Sequence, residues 1–471
     1  MAKKWWLASA GVTGAAVVGV VSVAVLRAHA GDSLIVDDVA VVSAPSLPAA
    51  VVSAPPLSAS EVEVLRAKLD VLGRDRRLGQ LVGSVRDVSS GDVVWEKDAS
   101  VGVRPASTTK VLTAAAALLT FGLDDRVSTD VFVVDGGRTV VLVGGGDVGL
   151  SGEQLDDLAG QVRAAGVQPE RVVVDASVWS QQSWLEKWGQ ENIAEGFIAP
   201  IEPAMLYGAR VGAPTGDVPR SDSPSMDVAR EFASRLGVGE IDVDWDGAVL
   251  SAAQGDTAAA ETDQTSKDSK TSKTSKGDKG DKGDAQQVNV ARKVASVQSA
   301  RLVDRVREMM LHSDNVLAES LGRQVAAARG VKAPDASAGG AAVLATLSEA
   351  GFDVQGVHLD DCSGMSDDDR IPASVLSSVL AGAGSDARVR LLPDLLPVAH
   401  GSGTLASRFD GLDGAGWVRA KTGTLTTTSG LAGVVTADSG RVYSFGFVSN
   451  ESEVLPARAA LDELASVLRE G

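Results

Sequence analysis

Several signals that mark common kinds of site are missing. Only one cysteine, Cys362, occurs in 471 residues, so no internal disulfide can form and cysteine usage does not reveal the compartment. The four histidines, His29, His312, His358 and His400, are not spaced like metal ligands, and no H-E-x-x-H occurs. We therefore expect no metal and no cofactor. A basic surplus is also missing. The net charge of −18 opposes neutralisation of a phosphate backbone, so nucleic acid is not an expected partner. The run GGGDVG at 144–149 lacks the lysine of a phosphate loop and reads as a strand-end turn. His312 adjoins Ser313, but no G-x-S-x-G elbow supports a Ser-His-Asp triad. His312 therefore reads as a surface or structural residue.

At this length the chain should form more than one domain. Lys3 and Lys4 precede an apolar run from Trp5 to Leu26, and Ala28-His29-Ala30 follows as an A-x-A site. Residues 1–30 thus read as a signal peptide or a retained anchor, with the rest of the chain secreted or held outside the cytoplasmic membrane. Residues 31–59, rich in Val, Ala, Ser and Pro, read as an extended tether. Residues 60–126 and 288–471 carry helical and strand periodicities of an α+β domain. Residues 127–250 alternate strands and helices and read as an α/β insertion. The polar run 251–287 cannot bury a core and reads as a disordered loop. From 261 to 284 its lysines and acids balance at six each, which argues against a membrane-binding role, so membrane contact is expected only through the N-terminal segment.

Three short motifs stand in one order. Ser107-x-x-Lys110 comes first, Ser313-Asp314-Asn315 second, and Lys421-Thr422-Gly423-Thr424 third. Each alone is common by chance. Together, with the flanks GGGDVGL, MMLHSDNVLAESLGRQVA, LPVAHGSGTLASRF and AKTGTLTTTSGLAGVV, they resemble the low-molecular-mass class C penicillin-binding proteins. That group is the peptidase S13-like D-alanyl-D-alanine carboxypeptidase/endopeptidase family. The resemblance implies a penicilloyl-serine transferase (β-lactamase/transpeptidase-like) domain, an antiparallel sheet flanked by helices, with an insertion between the first and second motifs. It implies a serine carboxypeptidase that trims peptidoglycan stem peptides ending in D-Ala-D-Ala, with cleavage of cross-links also open, and that β-lactam antibiotics acylate. A β-lactamase shares the three motifs, and a weakly catalytic wall-sensing module is the non-enzymatic alternative.

The chemistry suits these residue types. Ser107, expected at a helix N-terminus, needs a base to become a nucleophile, and Lys110 lies one turn along on the same face. Lysine acts as a base only if its pKa falls, through desolvation and through a neighbouring cation such as Lys421. Ser107 also fits an ordinary N-cap, and both roles are expected of it. Ser313 would relay a proton to the leaving amine, and Asn315 would hold Lys110 and the substrate amide. Thr422 and Thr424 alternate to one side of a strand and would hold the terminal carboxylate, while Gly423 gives room for close approach. The backbone N–H groups of Ser107 and Thr424 would form the oxyanion hole. Relative to the family segment D-G-S-G-L-S-R-x-N-R, Cys362 replaces a glycine and Asp367 replaces the first arginine, while Arg370 keeps the second. The resemblance therefore implies altered side-chain selectivity. Cys362 reads as a small buried residue, and Trp179, Trp184 and Trp188 read as packing ahead of a glycan cleft.

Overall fold

The computed structural model describes residues 58–254 and 291–471. The leader, most of the tether and residues 255–287 of the low-complexity run lie outside the described residues. Helix α1 (Ala59–Leu72) starts at a Ser58 capping box, in which Glu61 reaches back to the Ser58 N–H. Strands β1 (Gln80–Asp87) and β2 (Val93–Lys97) follow. Helix α2 (Lys110–Thr120) is alanine-rich and buried from Lys110 to Leu118, as a helix apolar on all sides should be.

The inserted region contains β3 (Ser128–Val134), β4 (Thr139–Val143), α3 (Gly152–Ala164), β5 (Arg171–Asp175), α4 (Pro224–Leu236) and β6 (Glu240–Asp244). After residue 290 come β7 (Arg292–Gln298), α5 (Leu302–His312), α6 (Asn315–Ala328), α7 (Ala336–Glu349) and α8 (Ala373–Ala381). The chain closes with β8 (Val418–Leu425), β9 (Thr428–Thr436), β10 (Val442–Asn450) and α9 (Val454–Val467).

The main sheet has the order β8-β9-β10-β1-β2, antiparallel throughout. Its side chains alternate between two cores, as a pleat requires. Leu81, Val85, Leu431, Val435, Phe445 and Phe447 face Leu65 and Leu69 of α1 and Leu461 and Leu464 of α9. Val82, Ala432, Val434 and Val448 face the opposite core, built from α2, α6 and α8. The result is an α+β fold in which a sheet lies between two helical layers.

The second sheet has the order β7-β3-β4-β5-β6, antiparallel at β7-β3-β4 and parallel at β4-β5-β6. One of its faces meets α3 and α4 through Val140, Val172, Leu158 and Phe232. Two boundaries expected from the sequence shift here. Strand β7 lies in the stretch read as main domain, yet it pairs with β3, because partners are set by the ladder and not by chain order. Residues 251–254 of the run read as a loop are helical instead, continuing from 248, and Ala253 is buried. Among the described residues no helix is long and apolar enough to cross a membrane.

Candidate active site

The three motifs meet between the main sheet and the α2–α6 layer. Ser107 lies in a single 3₁₀ turn, Ala106–Thr109, that runs into α2 at Lys110. Ala106 takes a left-handed φ of 48°, a conformation that costs a non-glycine residue about 1–2 kcal/mol. The turn is stitched by Thr108 Oγ1 donating to the Pro105 carbonyl at 2.7 Å and Thr109 Oγ1 to the Ala106 carbonyl at 3.0 Å. No side chain caps this turn or α2, so Ser107 is not the N-cap that its position in the sequence suggests. Its hydroxyl is engaged by Lys110 instead.

Lys110 Nζ is fully buried and has three partners: Ser107 Oγ at 2.9 Å, Asn315 Oδ1 at 2.6 Å and the Ser363 carbonyl at 2.7 Å. Burial lowers its pKa to about 8, and the carboxylates of Asp361, Asp314, Glu319 and Asp369 oppose the fall. Lys421 is also fully buried. Its Nζ donates to Ser313 Oγ at 2.9 Å and to the Thr422 carbonyl at 2.8 Å. Burial, and then the charge of Lys110, hold the Lys421 ammonium well below the ordinary lysine value. The sequence suggests Lys421 as the cation that lowers Lys110. In the structure burial lowers both lysines, and their repulsion falls on Lys421.

The second motif forms the hinge between α5 and α6. Ser313 ends α5 with a left-handed φ of 58°, which turns its hydroxyl towards Lys421. Asp314 caps α6, with Oδ1 accepting from the Leu317 N–H at 2.9 Å. Its Oδ2 accepts from Arg210 at 2.8 Å and Arg220 at 3.4 Å, both from the inserted region. Burial pushes the Asp314 carboxyl up, but Arg220 and Arg210 outweigh it and hold the group below the ordinary carboxylate value. Asn315 opens α6 and its Nδ2 donates to the Phe197 carbonyl at 3.0 Å. The insertion thus sets the orientation of the second motif.

Strand β8 brings the third motif alongside. A Cβ on Gly423 would lie 2.8 Å from the Pro105 carbonyl and 3.2 Å from the Ser107 nitrogen, so the strand approaches the serine turn at a distance only glycine tolerates. Thr422 Oγ1 donates to Thr404 Oγ1 at 2.8 Å. Thr424 is exposed and accepts from Arg458 Nη2 at 2.6 Å. Arg458 comes from α9 and forms no ion pair with any described residue, while the nearby Asp462 is held by Arg408. Sequence reasoning singled out neither Arg458, Thr404, Arg210, Arg220 nor the Ser363 carbonyl.

The remaining positions are also placed. Asp367 pairs with Arg104 at 3.2 Å, and Arg370 donates to the carbonyls of Asp367 and Asp369. Cys362 is buried, and burial pushes its thiol well up. Trp179 and Trp188 are buried packing residues, with Trp184 edge-on to Trp188. His312 is exposed.

Comparison with known proteins gives the same picture. The D-Ala-D-Ala carboxypeptidase 3 (S13) family model matches residues 65–236 and 247–469. Carboxypeptidase DacB of Mycolicibacterium smegmatis is 39% identical over 411 residues, covering 83% of this chain and 81% of that protein. The D-alanyl-D-alanine carboxypeptidase of Actinomadura sp. strain R39 is 28% identical over 469 residues, covering 88% and 86%. The crystal structure of penicillin binding protein 4 (dacB) from Haemophilus influenzae shares the fold, with a TM-score of 0.65 at 20% identity over 84% of this chain and 97% of that one. This chain belongs to the D-Ala-D-Ala carboxypeptidase 3 (S13) family and is a serine-type D-Ala-D-Ala carboxypeptidase.

Proposed function

We propose that the enzyme hydrolyses the terminal peptide bond of peptidoglycan stem peptides through an acyl-enzyme on Ser107, outside the cytoplasmic membrane. The observation that carries this reading is the contact of Lys110 Nζ with Ser107 Oγ at 2.9 Å inside a fully buried lysine environment. Neutral Lys110 takes the hydroxyl proton as Ser107 Oγ bonds to the carbonyl carbon of the penultimate D-Ala. The N–H groups of Ser107 and Thr424 hold the oxyanion, and a missing donor of this kind costs about 3 kcal/mol of transition-state stabilisation. Ser313 passes its hydroxyl proton to the D-alanine nitrogen as the C–N bond breaks, and Lys421, which donates to it at 2.9 Å, replaces that proton. Asn315 holds both Lys110 and the substrate amide. Water then attacks the acyl carbon and frees Ser107.

Thr422, Thr424 and Lys421 receive the terminal carboxylate. Arg458 adds a guanidinium that lacks a carboxylate partner among the described residues. A β-lactam presents a carbonyl and a carboxylate in a related arrangement and acylates the same serine. One of the solved structures similar to this chain, the Haemophilus influenzae protein, is complexed with a β-lactam. Incubation with a D-Ala-D-Ala pentapeptide tests the proposal: wild type should release free D-alanine, and Ser107→Ala should release none. Release by both proteins at equal rates would refute it.

A further inference from the structure

Segment 361–366, DCSGMS, runs directly under the serine turn. Gly364 has a φ of +82°, and a Cβ there would stand 2.0 Å from the Ala106 carbonyl oxygen and 2.8 Å from Thr109 Oγ1. At its start lies Asp361, fully buried. Four N–H donors converge on its carboxylate. Oδ1 accepts from Ser363 N at 2.9 Å and Gly364 N at 2.7 Å. Oδ2 accepts from Trp188 Nε1 at 2.9 Å and Ser366 N at 2.8 Å. This set fits a carboxylate that only accepts, and Asp369 approaches the same group. The segment is wrapped around that one side chain.

The wrapping has a consequence at Lys110. A neutral amine has two N–H bonds and one lone pair. Asn315 Oδ1 and the Ser363 carbonyl can only accept, so together they take both N–H bonds. The lone pair is then left for the Ser107 proton. The Ser363 carbonyl is a backbone group, and its direction is set by the turn that Asp361 ties.

We propose that Asp361 is a positioning residue for acyl transfer, holding the Ser363 carbonyl so that the lone pair of Lys110 Nζ faces the Ser107 hydroxyl. This rests on Ser107 as nucleophile and Lys110 as base. Asp361 exchanges no proton. The Ser107 proton passes to Nζ as the Oγ–carbon bond forms.

Charge gives a second handle on the same residue. Lys110 is faced by Lys421 from β8, by Asp314 and Glu319 at the start of α6, and by Asp361 and Asp369 from the loop. Asp361 in turn is faced by Asp369, Glu319, Cys362 and Lys110, with Arg323 paired to Glu319 at 2.9 Å. Burial and then the charge of Asp361 raise Asp369 well above the ordinary carboxylate value and Glu319 to about 7. Among the carboxylates, Asp361 opposes the lowering of Lys110 most. Loss of its charge therefore lowers the Lys110 pKa further, a change that a purely structural residue would not cause.

The test is the rate of acylation by a fluorescent penicillin, followed against pH for the whole chain. In Asp361→Asn the amide keeps one acceptor oxygen, so two of the four donors lose theirs. Acylation should slow about 100-fold, the scale of a misplaced reacting group. The acid limb of the profile should also move below the wild-type position near 8. A folded Asp361→Asn that acylates at the wild-type rate with an unmoved limb overturns the proposal. If that variant does not fold, Trp188→Phe decides, since it removes one donor and keeps a ring. Several-fold slower acylation supports the role, and an unchanged rate and profile overturns it. Ser107→Ala is the control that separates the two readings. If it labels like wild type, the nucleophile assignment itself fails, and the role of Asp361 falls with it.

Discussion

On the proposed mechanism acylation should rise with pH through about 8, because a lysine base acts only when neutral. Burial brings its pKa from the ordinary 10.5 to about 8. At pH 7 about one molecule in ten then holds a neutral Lys110, against about one in 3,000 at the ordinary value, a gain of about 300-fold in working base. Between pH 7 and 9 the neutral fraction rises about tenfold and then flattens. The second-order rate constant for acylation by a fluorescent penicillin, measured by stopped flow across this range, should trace that curve. Stability should carry the same signature. Below pH 8 Lys110 is protonated both folded and unfolded, and the folded state bears the full cost of burying the charge, about 3 kcal/mol. As pH rises from 8 to 10.5 the folded-state cost disappears. Wild type should therefore gain about 3 kcal/mol relative to Lys110→Met across that window in urea denaturation. A flat rate profile, a limb near 10.5, or a constant stability difference would refute the reasoning.

Two substitutions probe the strand side of the cleft. Gly423→Ala forces β8 away from backbone atoms at 2.8 and 3.2 Å, so kcat for D-alanine release should fall about 100-fold and the Tm should drop as well. Unaltered kcat would mean that the strand edge plays no part in holding the oxyanion. Arg458→Ala removes the guanidinium that donates to Thr424, and KM for a peptide with a free terminal carboxylate should rise about tenfold, in line with a charge-assisted hydrogen bond. An equal rise with a C-terminally amidated peptide would show that Arg458 does not recognise the carboxylate.

Much of the candidate site's composition is legible in the sequence because its side chains stand at fixed local spacing. Ser107 and Lys110 lie one helical turn apart, Ser313 and Asn315 flank a cap, and Gly423 interrupts a run of threonines. The α+β fold is legible for a similar reason: the alternating aromatics of β10 and the alanine-rich α2 state their own environments. What escapes depends on contacts distant in sequence. Arg210 and Arg220 reach Asp314 across about a hundred residues, and Arg458 reaches Thr424 from the last helix. The Ser363 carbonyl has no side-chain signature at all, and only the adjacent glycine marks a turn. No local pattern singles out strand β7, and only its ladder with β3 assigns it to the second sheet. Asp367, a reversed charge in sequence, pairs with Arg104, a residue that no local pattern singles out.

The central claim is that Ser107 carries the acyl group. Mass spectrometry after brief exposure to penicillin tests it most directly. A single adduct of the drug's mass should map to the peptide that contains Ser107, be absent in Ser107→Ala and form slowly in Lys110→Met. An adduct on another residue, or one of equal yield in Ser107→Ala, would contradict it.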